Sequence, residues 1–224
     1  MPTAHRAGVV TSQPLSSVPP DPSPPPDPRQ PPLSGRRSRA CRLGASAEVG
    51  LHNGGVTEPE IKIRPVNEGD RPLLAWLVAG LWGSELVAVH GDLLRPAEYP
   101  GFIAERSRRV VGLLTYQLLG DTLEIVTLNA IDRRIGIGTA LIEAAVGTAR
   151  HFRCREIRLT TTNDNVDALR FYQRRGFRLA ELRPGAVDRS RQERPQIPRA
   201  GEHGIPLHDE LDLTLRVAGP AAPP

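Results

Sequence analysis

An α/β (α+β) domain with a central mixed, mostly antiparallel sheet of six to seven strands flanked by helices is predicted for residues 58–218. Three observations predict it. Three strand-like segments between Phe102 and Asn129 follow one another with only Ser107-Arg108 and Gly120-Asp121 between them. Such short turns fit an antiparallel meander. Two later apolar-periodic helices, starting near Gly136 and Asn165, each lead into a further strand. The last strand, Glu210 to Val217, alternates Leu211, Leu213 and Leu215 with polar residues, the period of a half-buried strand.

The elements follow in order. Glu60 to Pro65 alternates and reads as a strand. Asn67 caps the next helix with Asp70 as its third acidic position, and Leu73, Leu74, Leu77 and Leu81 form its apolar stripe. Gly83-Ser84 interrupts that helix, and a second short helical stretch is expected over Glu85 to Val89. Strands are expected at Phe102–Glu105, Val110–Leu118 and Thr122–Asn129. A helix follows from Gly136 to His151, burying Leu141, Ala144, Ala145, Val146 and Ala149. Then come a strand (Glu156–Thr161), a helix (Asn165–Arg175), a strand (Phe177–Leu182) and the last strand. The link from Arg183 to His208 is long for a compact domain, which marks it as functional or disordered. Ala186 to Arg191 within it is expected to make one or two helical turns.

Residues 1–57 lack any sustained period and carry Pro19-Pro20, Pro24 to Pro26 and Pro31-Pro32 among Ser, Asp and Gln. Such a segment cannot bury enough apolar surface to offset its ordering entropy, so a disordered leader with polyproline II character is expected. Residues 219–224 are expected to be a disordered tail. The chain is +4 overall, but the leader holds six Arg against three acids and the rest is near neutral, 23 Lys+Arg against 22 acids. With only 4 % aromatic residues, the domain lacks the basic face and stacking platforms of a nucleic-acid binder. The longest apolar run, Leu73 to Trp82, is too short to span a bilayer. Cys41 and Cys154 make neither a disulfide framework nor a metal cluster, which fits a reducing compartment. A cytoplasmic protein with no metal, no membrane partner and no specific nucleic-acid partner is the expectation, as a monomer or homodimer.

Two segments carry the chemistry. Arg133-Arg134-Ile135-Gly136-Ile137-Gly138-Thr139 opens a helix, and glycines there let backbone N–H groups approach an anion at the helix's positive end. Alone this is also an ordinary strand-to-helix turn. The third glycine of a dinucleotide fingerprint is absent, since Leu141 stands there, and no Gly-Lys-Ser/Thr of a P-loop follows. The second segment is Asn165-Val166-Asp167-Ala168-Leu169-Arg170-Phe171-Tyr172, closing with Gly176-Phe177. Asn165, Leu169 and Tyr172 recur at i, i+4 and i+7 on one helix face.

Together these segments resemble the cofactor-binding core of the GCN5-related N-acetyltransferase (GNAT) family. They match its Arg/Gln-x-x-Gly-x-Gly loop and its Asn-x-x-Ala-x-x-x-Tyr-x-x-x-Gly-Phe segment, and the order of elements matches across roughly residues 60 to 217. The resemblance implies a GNAT fold whose fourth and fifth strands splay apart, with acetyl-coenzyme A as cosubstrate. It implies that Arg133, Arg134, Ile135, Gly136, Ile137, Gly138 and Thr139 wrap the pyrophosphate. Many relatives have Gly where this chain has Arg134. It implies that Asn165, with Leu169 on the same face, contacts the pantetheine arm, leaving Asp164 or Asn163 as the helix cap. Backbone groups of Leu128 and Ala130 would hold pantetheine, the Leu128 N–H would meet the oxyanion, and Tyr172 would be the general acid for the thiolate.

The general base is open. Glu124 lies on the strand where some family members keep a catalytic Glu, though its neighbours alternate and it could face solvent. His90, Glu85 and Asp209 are further candidates. The link 183–208 resembles the tail of a bacterial subgroup with a Gly-Ala-Val-Asp-Arg and Gly-Ile-Pro pattern. With Trp82-Gly83-Ser84 it is expected to cover the acceptor end, where Asp188, Glu202, Asp209 and Glu210 could attract a cationic amine. The expected activity is transfer of acetyl to a primary amine of a small-molecule or peptide acceptor. The alternative is a non-catalytic acyl-coenzyme A-binding sensor or interaction module.

Overall fold

A computed structural model describes residues 60–89, 92–131 and 135–217. The expected leader, residues 1–57, and the expected tail, residues 219–224, lie outside the described residues.

The main sheet has seven strands in the order β1-β4-β5-β6-β7-β9-β8. They are β1 (Lys62–Pro65), β4 (Gly101–Arg106), β5 (Arg109–Leu119), β6 (Thr122–Ala130), β7 (Glu156–Thr162), β8 (Arg178–Arg183) and β9 (Glu210–Arg216). Every neighbouring pair is antiparallel except β6 and β7. The expected meander is therefore β4-β5-β6, and the expected mixed sheet is present. The last two strands do not simply add in order. β9 inserts between β7 and β8, leaving β8 at the edge. The long link makes this possible, because the chain must travel back across β8 before it pairs.

Helices α2 (Ile137–His151) and α3 (Val166–Gln173) cover one face. Ile137, Leu141, Ala145, Ala168 and Tyr172 pack there against Leu114, Leu123, Ile125, Leu128, Ile157 and Leu213. Helix α1 (Arg71–Trp82) covers the opposite face, where Leu74 and Val78 meet Ile103, Leu113 and Val87. Burial of such large apolar side chains stabilises the fold by about 1.5–3 kcal/mol each.

One local expectation is refined and one is corrected. Asn67 and Asp70 form the expected capping box on a 3-10 turn, Glu68–Asp70, that runs directly into α1, and the Asn67 backbone N–H donates to Asp70 Oδ2 at 2.9 Å. The α-helix starts one residue later with Pro72 in its first turn, where no N–H is needed. The expected helical stretch Glu85–Val89 is instead a hairpin. Strand β2 (Val87–Val89) pairs with β3 (Asp92–Leu94). Two β-branched valines flank Ala88, and the partner strand supplies hydrogen bonds that a single helical turn would lack.

Asp70 ties this region together. Arg64 grips it in a bidentate pair, at 2.7 and 2.9 Å, and also reaches Glu105 at 2.8 Å. The Arg64 hydrogen bond is the main reason the Asp70 carboxyl is held below the usual carboxylate range, against the opposing effect of burial. Asp70→Asn should lower stability at neutral pH by about 1.5–3 kcal/mol, the cost of losing a hydrogen bond to a charged group. The folded state prefers the carboxylate. Its contribution is thus complete above the unfolded value near about pH 4 and fades as pH falls through the lower folded value. Urea denaturation of both proteins should show a gap at pH 7 that closes in acid.

Candidate active site

Strands β6 and β7 pair only through Thr122–Glu124 against Glu156–Arg158. Beyond those residues β6 stays on β5 as far as Ala130, and β7 stays on β9 as far as Thr162. The fourth and fifth strands of the sheet therefore part, as expected. A register shift helps to drive them apart. Thr115 pairs with Thr127 and Tyr116 with Ile125, so Val126 is an extra residue on β6. Such a bulge bends its strand and raises the local twist. Leu128 and Ala130 both lie beyond the parting, on the stretch of β6 that has no ladder to β7.

Buried polar atoms without hydrogen-bond partners among the described residues gather on these elements. They include Asn129 Oδ1 on β6, Thr161 Oγ1 on β7 and the Tyr172 hydroxyl on α3. An unsatisfied buried group costs about 1–3 kcal/mol, so several on the elements around one gap fit a polar ligand that completes them. Asn129 and Thr161 were not legible as candidates, because the sequence does not reveal which strand residues lose their neighbours.

Tyr172 is 1 % exposed and lies edge-on to Phe171 and Phe177, with ring centroids at 5.1 and 5.5 Å. Burial pushes its phenol well above the ordinary value, while the nearby Arg175 charge pulls it down. The phenol stays protonated at neutral pH and so is a hydrogen donor. Asn165 is buried at the start of α3, and here the expected cap is corrected. Its Oδ1 accepts the Ala168 N–H at 3.1 Å, so Asn165 itself is the cap. Asp164 instead accepts the Glu202 N–H at 2.8 Å and the Thr162 hydroxyl. Asn163 binds Pro206, His208 and Asp209 of the long link. A cap residue is chosen by which carboxylate or amide the tertiary partners leave available. Leu169 is only half-buried at the margin of the core, so the face that carries Asn165 and Tyr172 inward does not carry Leu169 fully with it.

Arg133 and Arg134 lie outside the described residues. Ile135 packs at the edge of the core, and Ile137 is 1 % exposed within it, so only its backbone can face a ligand. Gly136 has φ +89°, and no atom lies within 4 Å of where its Cβ would stand. The first helical hydrogen bond of α2 runs from Ala140 N–H to Gly136 O, at 3.0 Å. The N–H groups of Ile137, Gly138 and Thr139 therefore precede the ladder at the positive helix end. Gly138 has a different reason to be glycine. Its Cβ would stand 2.8 Å from Phe171 Cζ, so the residue allows α2 to dock on α3.

Arg175 was not foreseen. Its guanidinium lies 3.6 Å above the Phe171 ring and donates to Phe171 O at 2.9 Å. It also donates to the Thr139 hydroxyl, at 3.1 Å from Nε and through Nη2. A cation thus stands beside the first turn of α2. Burial, and then the Arg174 charge, depress its proton affinity. Its spacing, four residues after Phe171 and next to Gly176, was the available signal.

Glu124 is 1 % exposed, which removes the solvent-facing alternative. It is the last β6 residue paired with β7, and its Oε2 accepts from Gln117 Nε2 at 2.9 Å. Its charge helps raise the Tyr99 phenol, whose shift is caused mainly by burial. Glu85 is exposed and paired with Arg95 at 3.5 Å. Asp209 accepts the Gly185 N–H at 2.8 Å and so holds the start of the long link. His90 lies outside the described residues.

The long link folds into α4 (Ala186–Glu193) followed by a set of turns. Asp188 pairs with Arg191 and with His208 Nδ1, so Asp188 and Asp209 serve the link's own structure rather than an open acidic wall. Glu202 lies beside His203, and Glu210 is buried on β9. Among the described residues, no helix is long and apolar enough to cross a membrane.

A sheet that parts beside its parallel pair, ahead of a helix opened by a left-handed glycine, defines an acyltransferase-like frame. Residues 70–177 match the Acetyltransferase (GNAT) family. The uncharacterized protein YdhI of Bacillus subtilis is 39 % identical over 150 residues, covering 66 % of this chain and 94 % of that protein. An IAA acetyltransferase from Bacillus cereus superposes with a TM-score of 0.57 at 21 % identity, over 70 % of this chain and 99 % of that one. A Bacillus subtilis acetyltransferase in complex with CoA gives a TM-score of 0.53 at 19 % identity, over 71 % and 100 %. The chain belongs to the GNAT acetyltransferase family.

Proposed function

We propose that the protein is an N-acetyltransferase that moves the acetyl group of acetyl-coenzyme A to a primary amine by direct attack. The observation that carries this reading is the pair of ionisable groups flanking the parting, the protonated Tyr172 hydroxyl on α3, which has no partner among the described residues, and the buried Glu124 carboxylate on β6.

Bound acetyl-coenzyme A supplies an activated thioester carbonyl. The N–H groups of Ile137, Gly138 and Thr139 and the guanidinium of Arg175 suit its pyrophosphate, with Arg133, Arg134 and Ile135 completing that loop. The backbone of Leu128 and Ala130, together with Asn165 and Leu169, borders the path of pantetheine. Glu124 takes the proton from the acceptor ammonium, directly or through water, which frees the amine to attack. The Leu128 N–H donates to the oxyanion of the tetrahedral intermediate. Tyr172 then gives its proton to the departing thiolate. Cys154 supports direct attack over a cysteine-bound intermediate, because it is buried in the core and burial raises its thiol.

Thiol release from acetyl-coenzyme A with a panel of amines tests the reading. Tight binding of the coenzyme with no release for any amine would reverse it in favour of a non-catalytic acyl-coenzyme A-binding module. Arg175→Met should keep the aliphatic stem over Phe171 and remove the charge. Its KM for acetyl-coenzyme A should rise by about 10-fold, since a hydrogen bond to a charged group contributes roughly 1.5–3 kcal/mol, while kcat stays within about twofold. An unchanged KM would remove Arg175 from the phosphate site.

A further inference from the structure

We infer that Asn129 makes the site specific for a primary amine, its Oδ1 accepting the N–H that stays on the acceptor nitrogen through the transfer. The inference rests on the N-acetyltransferase reading and deepens it by naming a specificity-determining side chain.

The register fixes the face that Asn129 occupies. On β5, Leu114 belongs to the core under α2 and α3, and Leu113 to the core under α1, so the strand alternates between the two faces. Leu128 pairs with Leu114, and Asn129 pairs with Leu113. Leu128 accordingly joins the α2 core, and Asn129 lies on the α1 face. The bulge at Val126 sets this parity. Without the extra residue Leu128 would turn toward α1, and Asn129 would turn toward α2 and α3. Thr127, which shares a hydrogen bond of 2.9 Å with Thr115, and Glu124, bonded to Gln117, lie on the same face as Asn129. The three form one polar file along β6.

Asn129 also stands at the parting. It lies beyond Glu124, the last β6 residue paired with β7, so Leu113 flanks it on one side and the gap on the other. The orphaned polar atoms around the gap therefore divide by face. Ile157 and Leu159 belong to the α2 core, so Thr161, two residues further along β7, shares that face with Tyr172. Asn129 Oδ1 lies on the other face. The residue is 8 % exposed, and this oxygen has no hydrogen-bond partner among the described residues. An amide oxygen only accepts, so it asks the ligand for a donor. The ligand that meets it comes from the face that α2 and α3 do not cover, the side of the base Glu124.

A proton count identifies the donor. A primary ammonium carries three N–H protons. One leaves toward Glu124, directly or through water, and the freed lone pair forms the N–C bond. A second leaves the nitrogen and replaces the proton that Tyr172 gives to the thiolate as the C–S bond breaks. The third stays as the N–H of the product amide, and Asn129 holds it throughout. A secondary amine keeps no N–H in its product, and an alcohol or thiol gives up its only proton. Each of these would leave the buried Asn129 oxygen without a donor, which is how a site built for an N–H rejects an analogue that lacks one.

The test uses the full chain and two thioether conjugates of coenzyme A that need no turnover. One ends in S–CH₂–C(O)–NH–CH₃ and the other in the matched ester, S–CH₂–C(O)–O–CH₃. They differ by one N–H at the place of the acceptor nitrogen. Calorimetry should find the amide at least about fivefold tighter, the scale of one net hydrogen bond. Asn129→Leu is close in size and offers no acceptor, so it should bring the two conjugates to within about twofold while coenzyme A itself binds as before. Asn129→Asp keeps an oxygen at that position and should keep the preference. Equal binding of the conjugates by wild type, an undiminished gap in Asn129→Leu, or a lost preference in Asn129→Asp overturns the inference and leaves the coenzyme site standing. A wild-type protein that binds no coenzyme A overturns both.

Discussion

Tyr172→Phe should lower kcat by about 10²–10⁴, the usual contribution of a placed acid, while the KM for acetyl-coenzyme A changes by less than about threefold. The same substitution should not destabilise the protein in the absence of coenzyme. The hydroxyl is buried and has no partner among the described residues. Removing it relieves a desolvation cost of about 1–3 kcal/mol, so the melting temperature should hold or rise. Activity and stability then move in opposite directions, which separates an acid from a packing residue. If Tyr172 only filled the core between Phe171 and Phe177, the variant would keep its turnover. Steady-state kinetics and thermal melts of one preparation decide between the two. In the proposed reaction the burial that raises the phenol would also exclude water from the thiolate, so both groups would be desolvated together and the transfer would not be steeply uphill.

Glu124→Gln should lower kcat/KM by about 10²–10⁴ near neutral pH. Wild type should lose activity toward acid as the base is protonated. The variant should lose that acidic limb, because its amide does not titrate. Gln is the informative replacement, since an amide keeps the side-chain length and can still hydrogen-bond Gln117, the residue opposite on β5. A pH–rate profile that keeps its acidic limb in the variant would assign the base elsewhere. Glu85 and Asp209 are poorer substitutes for physical reasons already evident in their contacts. One is a surface ion pair, which is worth little and is readily solvated, and the other holds the Gly185 N–H.

The coenzyme half of the site was the more legible in sequence. Its signals are local: a glycine that takes a positive φ at the start of α2, and a helix whose face carries Asn165 and Tyr172 seven residues apart. Local signals survive without knowledge of partners. The errors arose where a local signal had competing outcomes. Val87 to Val89 could be read as helix until β3 was seen to pair with it. Asp164 is a good helix cap by type, but the Glu202 N–H claims it, and Asn165 takes its place. The acids of the long link read as an attractive wall for an amine, whereas Asp188 and Asp209 are consumed by Arg191, His208 and Gly185.

Sequence by itself determined the family, the residues that open α2 and α3, and the order of elements apart from the β2–β3 hairpin, because periodicity and turn chemistry act over a few neighbouring positions. Tertiary structure alone decided what those residues face. It buried Glu124 at the point where β6 leaves β7, and it brought Arg175 onto Thr139 from 36 positions away. It also joined Arg194 to Leu86 across 108 positions. The last of these contacts depends on the path of the link that lets β9 insert between β7 and β8. No local pattern encodes that path. It is set by which backbone edges and buried polar groups find partners once the sheet has formed.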